Sequence, residues 1–428
     1  MGSRRPPGAR SRLGLLGREP VFRRLFLATI GSGAGTWLAI VALEVDVYER
    51  TGSSAWIAAL LIADLLPTFA IGLFVGPLID RLSRRSLMIN ADLVRFGAFA
   101  VLPFTTNATQ IVILAGVVGV ATGFFRPAVF AGLPNVVRDS DLPAANSLLQ
   151  AGDNLTWAVG SVAGGALAAT AGVDAAYWFN AVTFLLSASL LVGIPQRLLQ
   201  AAAAASRGHW QDVRDGFSLV VRSRVLLTVL VAWNVAVVSN AAVNVSEPSL
   251  ALRTFSAGRF GLGLMMGCAG LGLTFGALLA TSWIEQRGLP NVYGASIALM
   301  ALGVGGAAAA PNVWIAVACV AVAGCGNGSA IVCNALLVQR GAPDELRGRV
   351  FAMFMSANVV VVVMGMVLGG WLTDVVGARW VWAGAGVFAG IAAIVGFGFA
   401  RRAFAGQRAR EQEPLAVSAH AAEPPGAV

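Results

Sequence analysis

The feature that most limits what this chain can become is a succession of long apolar stretches. Crossing about 30 Å of hydrocarbon takes about 20 helical residues. Twelve stretches of that order lie between Arg, Pro or Gly-rich breaks, at 24–48, 54–79, 86–104, 110–133, 144–171, 175–195, 224–248, 258–284, 290–309, 312–338, 349–373 and 377–400. Of the 428 residues, 57% are hydrophobic and 12% charged, whereas a soluble domain carries about 25% charged residues. A water-soluble globule of this composition could not cover itself with polar groups, so its exterior must face lipid. The expectation is an all-α membrane protein with twelve transmembrane helices, which excludes the soluble-enzyme and secreted-disulfide classes.

The net charge of +9 does not point to nucleic acid. All 30 basic residues are Arg, and they sit between the apolar runs instead of forming one patch. Placing the amino terminus in the cytoplasm puts 24 of them on the inner side, with Arg95 and Arg126 within runs and only Arg50, Arg253, Arg259 and Arg379 outside. The positive-inside rule therefore predicts both termini in the cytoplasm of a cell-membrane protein. Arg23-Arg24-Leu25-Phe26-Leu27 has the look of a twin-arginine export signal, but the apolar run that follows is too long for one and reads as a first anchor. Cys268, Cys319, Cys325 and Cys333 fall inside apolar runs without metal-ligand spacing and read as small packing residues. No metal site and no cofactor are expected.

The two halves of the sequence repeat each other. Glu44, Arg50 and Thr51 recur as Glu247, Arg253 and Thr254, each 203 residues on, and Arg81 recurs as Arg287. Gly160, Gly164 and Gly165 recur as Gly365, Gly369 and Gly370 at a spacing of 205. Such a repeat predicts two pseudo-symmetric six-helix bundles in one orientation. The resulting division is an Arg-rich leader (1–23), a first bundle (24–195), an amphipathic connector on the inner surface (196–223), a second bundle (224–400) and a disordered tail (401–428).

After the second run the chain reads Gly76-Pro-Leu-Ile-Asp80-Arg81-Leu-Ser83-Arg84-Arg85. A carboxylate beside three guanidiniums in a tight loop can pin one helix end against its neighbours. We expect Asp80 to meet the start of the eleventh helix near Gly348 and Arg349, making this loop a conformational gate. In Gly160-Ser-Val-Ala-Gly164-Gly165, small residues four apart let helices touch closely. These two segments, with Phe125-Arg126-Pro127-Ala128, Leu133-Pro134 and Val338-Gln339-Arg340 through Asp344-Glu345-Leu346-Arg347-Gly348-Arg349-Val350, resemble the major facilitator superfamily. The resemblance is to its branch of enterobactin exporters and macrolide efflux pumps, and it extends over about residues 20–402. It implies two bundles rocking about a central cavity, with proton antiport as the usual coupling.

Charges inside spans cost about 2.5–3.5 kcal/mol each, so each one raises a functional question. Asp64 lies ten residues into the second run, about 15 Å deep, with no basic residue within a turn of its own helix. It could carry a proton, contact substrate, or merely pack as a hydrogen-bonded group. Asp92 and Arg95 are three apart and can pair within one helix. Arg126 and Asp153 are expected to form a buried pair, either self-neutralising or broken as the site loads. Glu44 and Asp46 end the first run and Glu247 ends the seventh. They are expected at the outer mouth, as a solvated rim or an attractor of cations. His209 and His420 lie outside the runs, which excludes a histidine relay, and the absence of Lys excludes a phosphate-binding Walker loop.

These readings converge on a secondary transporter, not an enzyme. Its partners are a small molecule, protons and the bilayer, with no nucleic acid and a monomer as the working unit. The expected activity is proton-coupled efflux of small amphipathic molecules, such as drugs, antibiotics or siderophores. An importer of the same fold is the alternative within transport. A membrane receptor or intramembrane hydrolase is the alternative outside it, and the histidines are misplaced for the latter.

Overall fold

A computed structural model of the chain describes residues 9–74, 82–196, 199, 220, 223–342 and 346–397. Most of the 196–223 connector and all of the 401–428 tail lie outside the described residues. The first half comprises α1 (Pro20–Thr51), α2 (Ser54–Phe74), α3 (Arg84–Val101), α4 (Ala108–Gly132), α5 (Leu142–Ala171) and α6 (Val173–Val192). The second comprises α7 (Arg224–Pro248), α8 (Gly258–Arg287), α9 (Leu289–Ala309), α10 (Val313–Gly341), α11 (Arg347–Val376) and α12 (Ala378–Phe397). A short helix, Ala9–Arg18, precedes α1. Eleven of these twelve helices are long and apolar enough to cross a membrane. The exception is α5, whose first half carries Asn146, Gln150, Asp153 and Asn154.

Local chemistry sets the helix ends, and it does so twice. Asn107 caps α4 by accepting the Gln110 N–H at 3.1 Å, and Asn312, 205 residues later, caps α10 by accepting the Ile315 N–H at 3.0 Å. Gly172 and Gly377, also 205 apart, turn α5 into α6 and α11 into α12 at φ of 86° and 90°, where a Cβ would be strained. Successive helices alternate in direction, so α1 begins and α12 ends on one side. We call this the terminal face and the opposite one the distal face.

The glycines of the repeat seat the helices against each other. A Cβ on Gly160 would lie 3.0 Å from the Ala34 carbonyl, and one on Gly164 would collide with the Leu38 carbonyl, so α5 packs backbone to backbone on α1. In the second half Gly365 and Gly369 do the same on α7, meeting Val238 and Ala242. The third glycine of each set reaches across the halves: Gly165 meets Gly263 of α8, and Gly370 meets Ser54 and Ala55 of α2. Each bundle encloses its own core, Phe99, Ile111, Tyr177 and Phe184 in the first and Val229, Tyr293, Ile297 and Leu337 in the second. Outward-facing Ile113, Leu302, Val387 and Ile394 are exposed, as lipid contact requires. Phe104, Trp178, Trp314, Trp371 and Trp380 are also exposed and lie at helix ends on the distal face, forming the aromatic girdle typical of a membrane interface.

Candidate transport site

A cavity of about 260 Å³ lies between the halves. The first half contributes Trp37 and Glu44 from α1 and Trp157 from α5, and the second contributes Asn244 and Glu247 from α7 and Trp382 from α12. Trp37 and Trp157 stack with centroids 5.2 Å apart and planes 22° from parallel. Glu44 and Glu247 are 3% and 7% exposed. Glu44 Oε2, Glu247 Oε1 and the indole N–H groups of Trp157 and Trp382 have no hydrogen-bond partner among the described residues. Unpartnered carboxylates are costly away from water. Two carboxylates and three indole rings line one cavity, groups with the chemistry to bind a proton or an organic cation.

This placement corrects one of the two sequence expectations for Glu44 and Glu247, the solvated rim, and leaves the other, attraction of a cation, in place. The helices continue beyond the last apolar run. α1 extends to Thr51, seven residues past Glu44, a rise of about 10 Å, and α7 passes into a π-helical turn, Ser249–Thr254. These extensions roof the acids over. Asp46 is likewise buried and does not line the cavity. It accepts Arg50 Nε at 2.6 Å, Arg50 Nη2 at 3.0 Å and the Tyr177 hydroxyl at 2.9 Å, while Arg50 Nη1 donates to the Thr105 carbonyl at 2.8 Å. That network ties α1 to α6 and to the α3–α4 turn.

Asp64 also stands outside the cavity lining. Its backbone presses on α4, where a Gly119 Cβ would strike its carbonyl, and Thr68 bridges the Asp64 and Gly119 carbonyls at 2.8 Å each. Its own helix supplies no cation, but Arg95 from α3 and Arg126 from α4 are the charges that act on it. Asp92 and Arg95 pair at 2.5 Å with both side chains buried, and the guanidinium lies 4.2 Å and 4.5 Å from the Phe125 and Phe184 ring centroids. Arg126 and Asp153 do pair, at 2.9 Å, but the expectation of burial is corrected: their side chains are 60% and 25% exposed. The physical reason is position, since Arg126 lies only six residues from the end of α4.

Of the gate residues, Gly76, Asp80 and Arg81 lie outside the described residues. Arg84 is buried and donates to the carbonyls of Ala131 at 2.9 Å and Leu199 at 3.2 Å. Arg85 donates to those of Leu191 and Val192, and Arg24 to that of Gly193. Two guanidiniums thus satisfy the carbonyl end of α6, where a helix dipole favours positive charge. Arg349 sits in the first turn of α11.

Sequence reasoning missed the groups that join the halves at the distal face. Asp374 of α11 accepts the Ser54 and Ala55 N–H groups at 2.7 and 3.2 Å and the Ser53 hydroxyl, capping α2 from the opposite half. Arg259 of α8 forks onto Glu49 at 2.9 and 2.7 Å and donates to the Ala168 carbonyl of α5. The Tyr48 hydroxyl donates to Ser249 Oγ at 2.9 Å. No local pattern marks such contacts, because each partner lies about 90 to 320 residues away in the chain. The cavity-lining stripe Asn240, Asn244, Glu247 was open to detection, since i, i+4, i+7 is one helix face.

Residues 16–425 match the family model described as transmembrane secretion effector. The chain belongs to this family of major facilitator transporters. Multidrug efflux pump Tap of Mycobacterium tuberculosis is 28% identical over 384 residues, covering 84% of this chain and 88% of Tap. An uncharacterized transporter of the major facilitator type, YfiS of Bacillus subtilis, is 25% identical over 378 residues, covering 84% of this chain and 89% of its own. Among solved structures, an inward-facing bacterial homologue of the iron transporter ferroportin superposes with a TM-score of 0.71 at 14% identity, covering 89% of this chain and 99% of that one. The nucleoside transporter NupG gives 0.67 at 14% identity, covering 90% and 99%. The chain is a multi-pass membrane transporter, not an enzyme.

Proposed function

We propose that the protein is a proton-coupled exporter of small amphipathic molecules. It works as a monomer in the cell membrane by alternating access, with its termini in the cytoplasm. The observation that carries this reading is the pair Glu44 and Glu247, one from each half, buried with a carboxyl oxygen each that has no hydrogen-bond partner among the described residues, in a central cavity that stacked Trp37 and Trp157 also line. A proton and an amphipathic cation would compete for the same carboxylates, and that competition couples the two fluxes. The distal face is latched by Asp374 and by Glu49 with Arg259, so a substrate would enter from the terminal face and leave distally once the latches part. Arg126 and Asp153 are read as cytoplasmic vestibule groups, and Asp64, near both Arg95 and Arg126, as a second proton position. The 76–85 loop and Arg349 are read as the gate that closes the terminal face. The efflux direction draws support from Tap, and the nucleoside transporter among the structural neighbours keeps an importer as the alternative.

For a neutral substrate, a proton moving down 100 mV and one pH unit supplies about 3.7 kcal/mol, enough for about a 500-fold gradient. The test is accumulation of ethidium, an aromatic cation, in inverted vesicles energised by respiration. Uncoupler-sensitive accumulation that falls sharply in Glu247→Gln and in Glu44→Gln supports the reading. Accumulation only in right-side-out vesicles would make the protein an importer. Loss in Asp64→Asn with retention in both Gln variants would move the coupling site to Asp64.

A further inference from the structure

A second cavity, of about 190 Å³, opens inside the second half, among α7, α9, α10 and α11. Its polar groups are three amides, Asn240, Asn327 and Asn358, against walls that include Trp233, Met300 and Ile331. Asn240 and Asn327 also line the central cavity, so the two spaces share a wall of amides. No charged residue lines the second one. Asn327 and Asn358 form no hydrogen bond among the described residues, so donors and acceptors stand free toward the space.

The internal repeat explains how this pocket arose. At the spacing of 205 that relates the capping residues Asn107 and Asn312, Asn358 corresponds to Asp153, Ile331 to Arg126 and Asn327 to Thr122. In the first half that place is occupied by the Arg126–Asp153 ion pair. In the second half the guanidinium is replaced by a shorter apolar chain and the carboxylate by an amide, and a cavity remains where the ion pair would be. A neutral, hydrogen-bonding void suits a neutral, hydrogen-bonding ligand group, because a charge there would find no counter-charge and an alkyl chain would leave the amides unpaired. On α7, Asn240, Asn244 and Glu247 lie on one face, and Asn240 is seven residues, about 10 Å, from Glu247.

We infer that the second-half cavity is a substrate subsite that takes a hydroxyl- or amide-rich neutral arm of an amine whose cationic end lies at Glu44 and Glu247, with Asn240, which lines both spaces, about 10 Å along α7 from Glu247. The inference rests on the cation reading of the central cavity and adds to it a class of molecule: aromatic or alicyclic amines bearing a polyol or amide arm.

The test uses the full chain in lipid nanodiscs and two synthetic probes with the same aromatic amine head. One carries a gluconamide arm and the other an alkyl arm of equal length, and binding is read by tryptophan fluorescence. The wild type is expected to bind the gluconamide probe, and Asn358→Leu to weaken it by about tenfold, the worth of one or two hydrogen bonds. The same variant should leave the alkyl probe unchanged or tighter. Asn358→Ala, which removes the amide without filling the space, should show the same discrimination, and Asn358→Gln should restore part of the gluconamide binding. Equal losses for both probes, an unchanged gluconamide affinity, or no gluconamide binding by the wild type would overturn the inference. Glu247→Gln reports separately on the cation reading, since it should weaken both probes alike. If it weakens neither while Asn358→Leu still discriminates, the amide subsite stands and the carboxylate role falls.

Discussion

Two unpartnered carboxyl groups in one cavity make a quantitative difference to what a proton gradient can do. Consider an exported monocation. If one proton enters for each cation that leaves, no net charge moves, and the membrane potential contributes nothing. One pH unit then supports about a tenfold gradient, the worth of about 1.4 kcal/mol. If both Glu44 and Glu247 load a proton and both release it when the cation binds, one net positive charge enters per cycle. At 100 mV and one pH unit the exchange then supplies about 5 kcal/mol, enough for a gradient of several thousandfold. Burial of both acids, each with a carboxyl oxygen that has no partner among the described residues, makes the second scheme available.

Glu247→Gln removes one of the two proton positions and keeps the side-chain shape. Residual exchange should be electroneutral, so steady-state accumulation of ethidium in inverted vesicles should fall from a limit of several thousandfold to about tenfold. The decisive assay dissipates the potential with valinomycin and potassium while holding the pH difference. Wild-type accumulation should fall to about a hundredfold, the worth of two protons across one pH unit, whereas the variant should stay at about tenfold and not respond. A Glu247→Gln protein whose accumulation remains sensitive to valinomycin would refute the two-proton argument, because a single remaining cavity carboxylate cannot make the exchange electrogenic.

Asp92→Asn should destabilise the fold by about 3–5 kcal/mol by stranding Arg95, lowering the unfolding temperature in detergent, and Asp92→Asn with Arg95→Gln should recover part of the loss. The exposed Arg126–Asp153 pair should behave oppositely, with a double-mutant coupling energy in stability below about 1 kcal/mol. Gly164→Ala, which drives a methyl into the Leu38 carbonyl, should cost about 1–3 kcal/mol of stability, while Gly31→Ala, with open space around it, should leave the melting temperature unchanged. Asp374→Ala removes three hydrogen bonds across the distal face. It should raise the labelling rate of an Ala58→Cys reporter by an impermeant maleimide by about tenfold in a background without native cysteines.

The helices were legible in the sequence because lipid leaves the chain few options: a long apolar run must satisfy its backbone internally, and a helix does so. Their ends were less legible, and that error misplaced Glu44 and Glu247. Hydropathy stops where polar side chains begin, but α1 continues to Thr51 because Asp46 and Arg50 satisfy each other along its face and bond to Tyr177 and Thr105. The pairings of Asp92 with Arg95 and of Arg126 with Asp153 could be read from spacing and approximate height. Whether each pair is buried could not, since that depends on which neighbours cover it: Phe125 and Phe184 cover Arg95, and no such cover shields Arg126.

The repeat separates what the fold requires from what the chemistry requires. Positions that set backbone approach recur in kind at a spacing of 205: the Asn107 and Asn312 caps, Gly172 and Gly377, and the three glycines that seat α5 and α11. Close backbone approach at the seating glycines leaves no room for a side chain, so these positions tolerate little asymmetry. Away from the shared cavity the chemistry diverges, with Arg126 and Asp153 facing Ile331 and Asn358 across the repeat. Glu44 and Glu247 are the exception, a chemical match that is not a backbone requirement. They lie where the two halves meet on one cavity, so each half contributes the same group to a single site. On the proposed alternating-access mechanism, a carboxylate supplied by both sides of the interface would sense the position of both bundles, which is the property a coupling site needs.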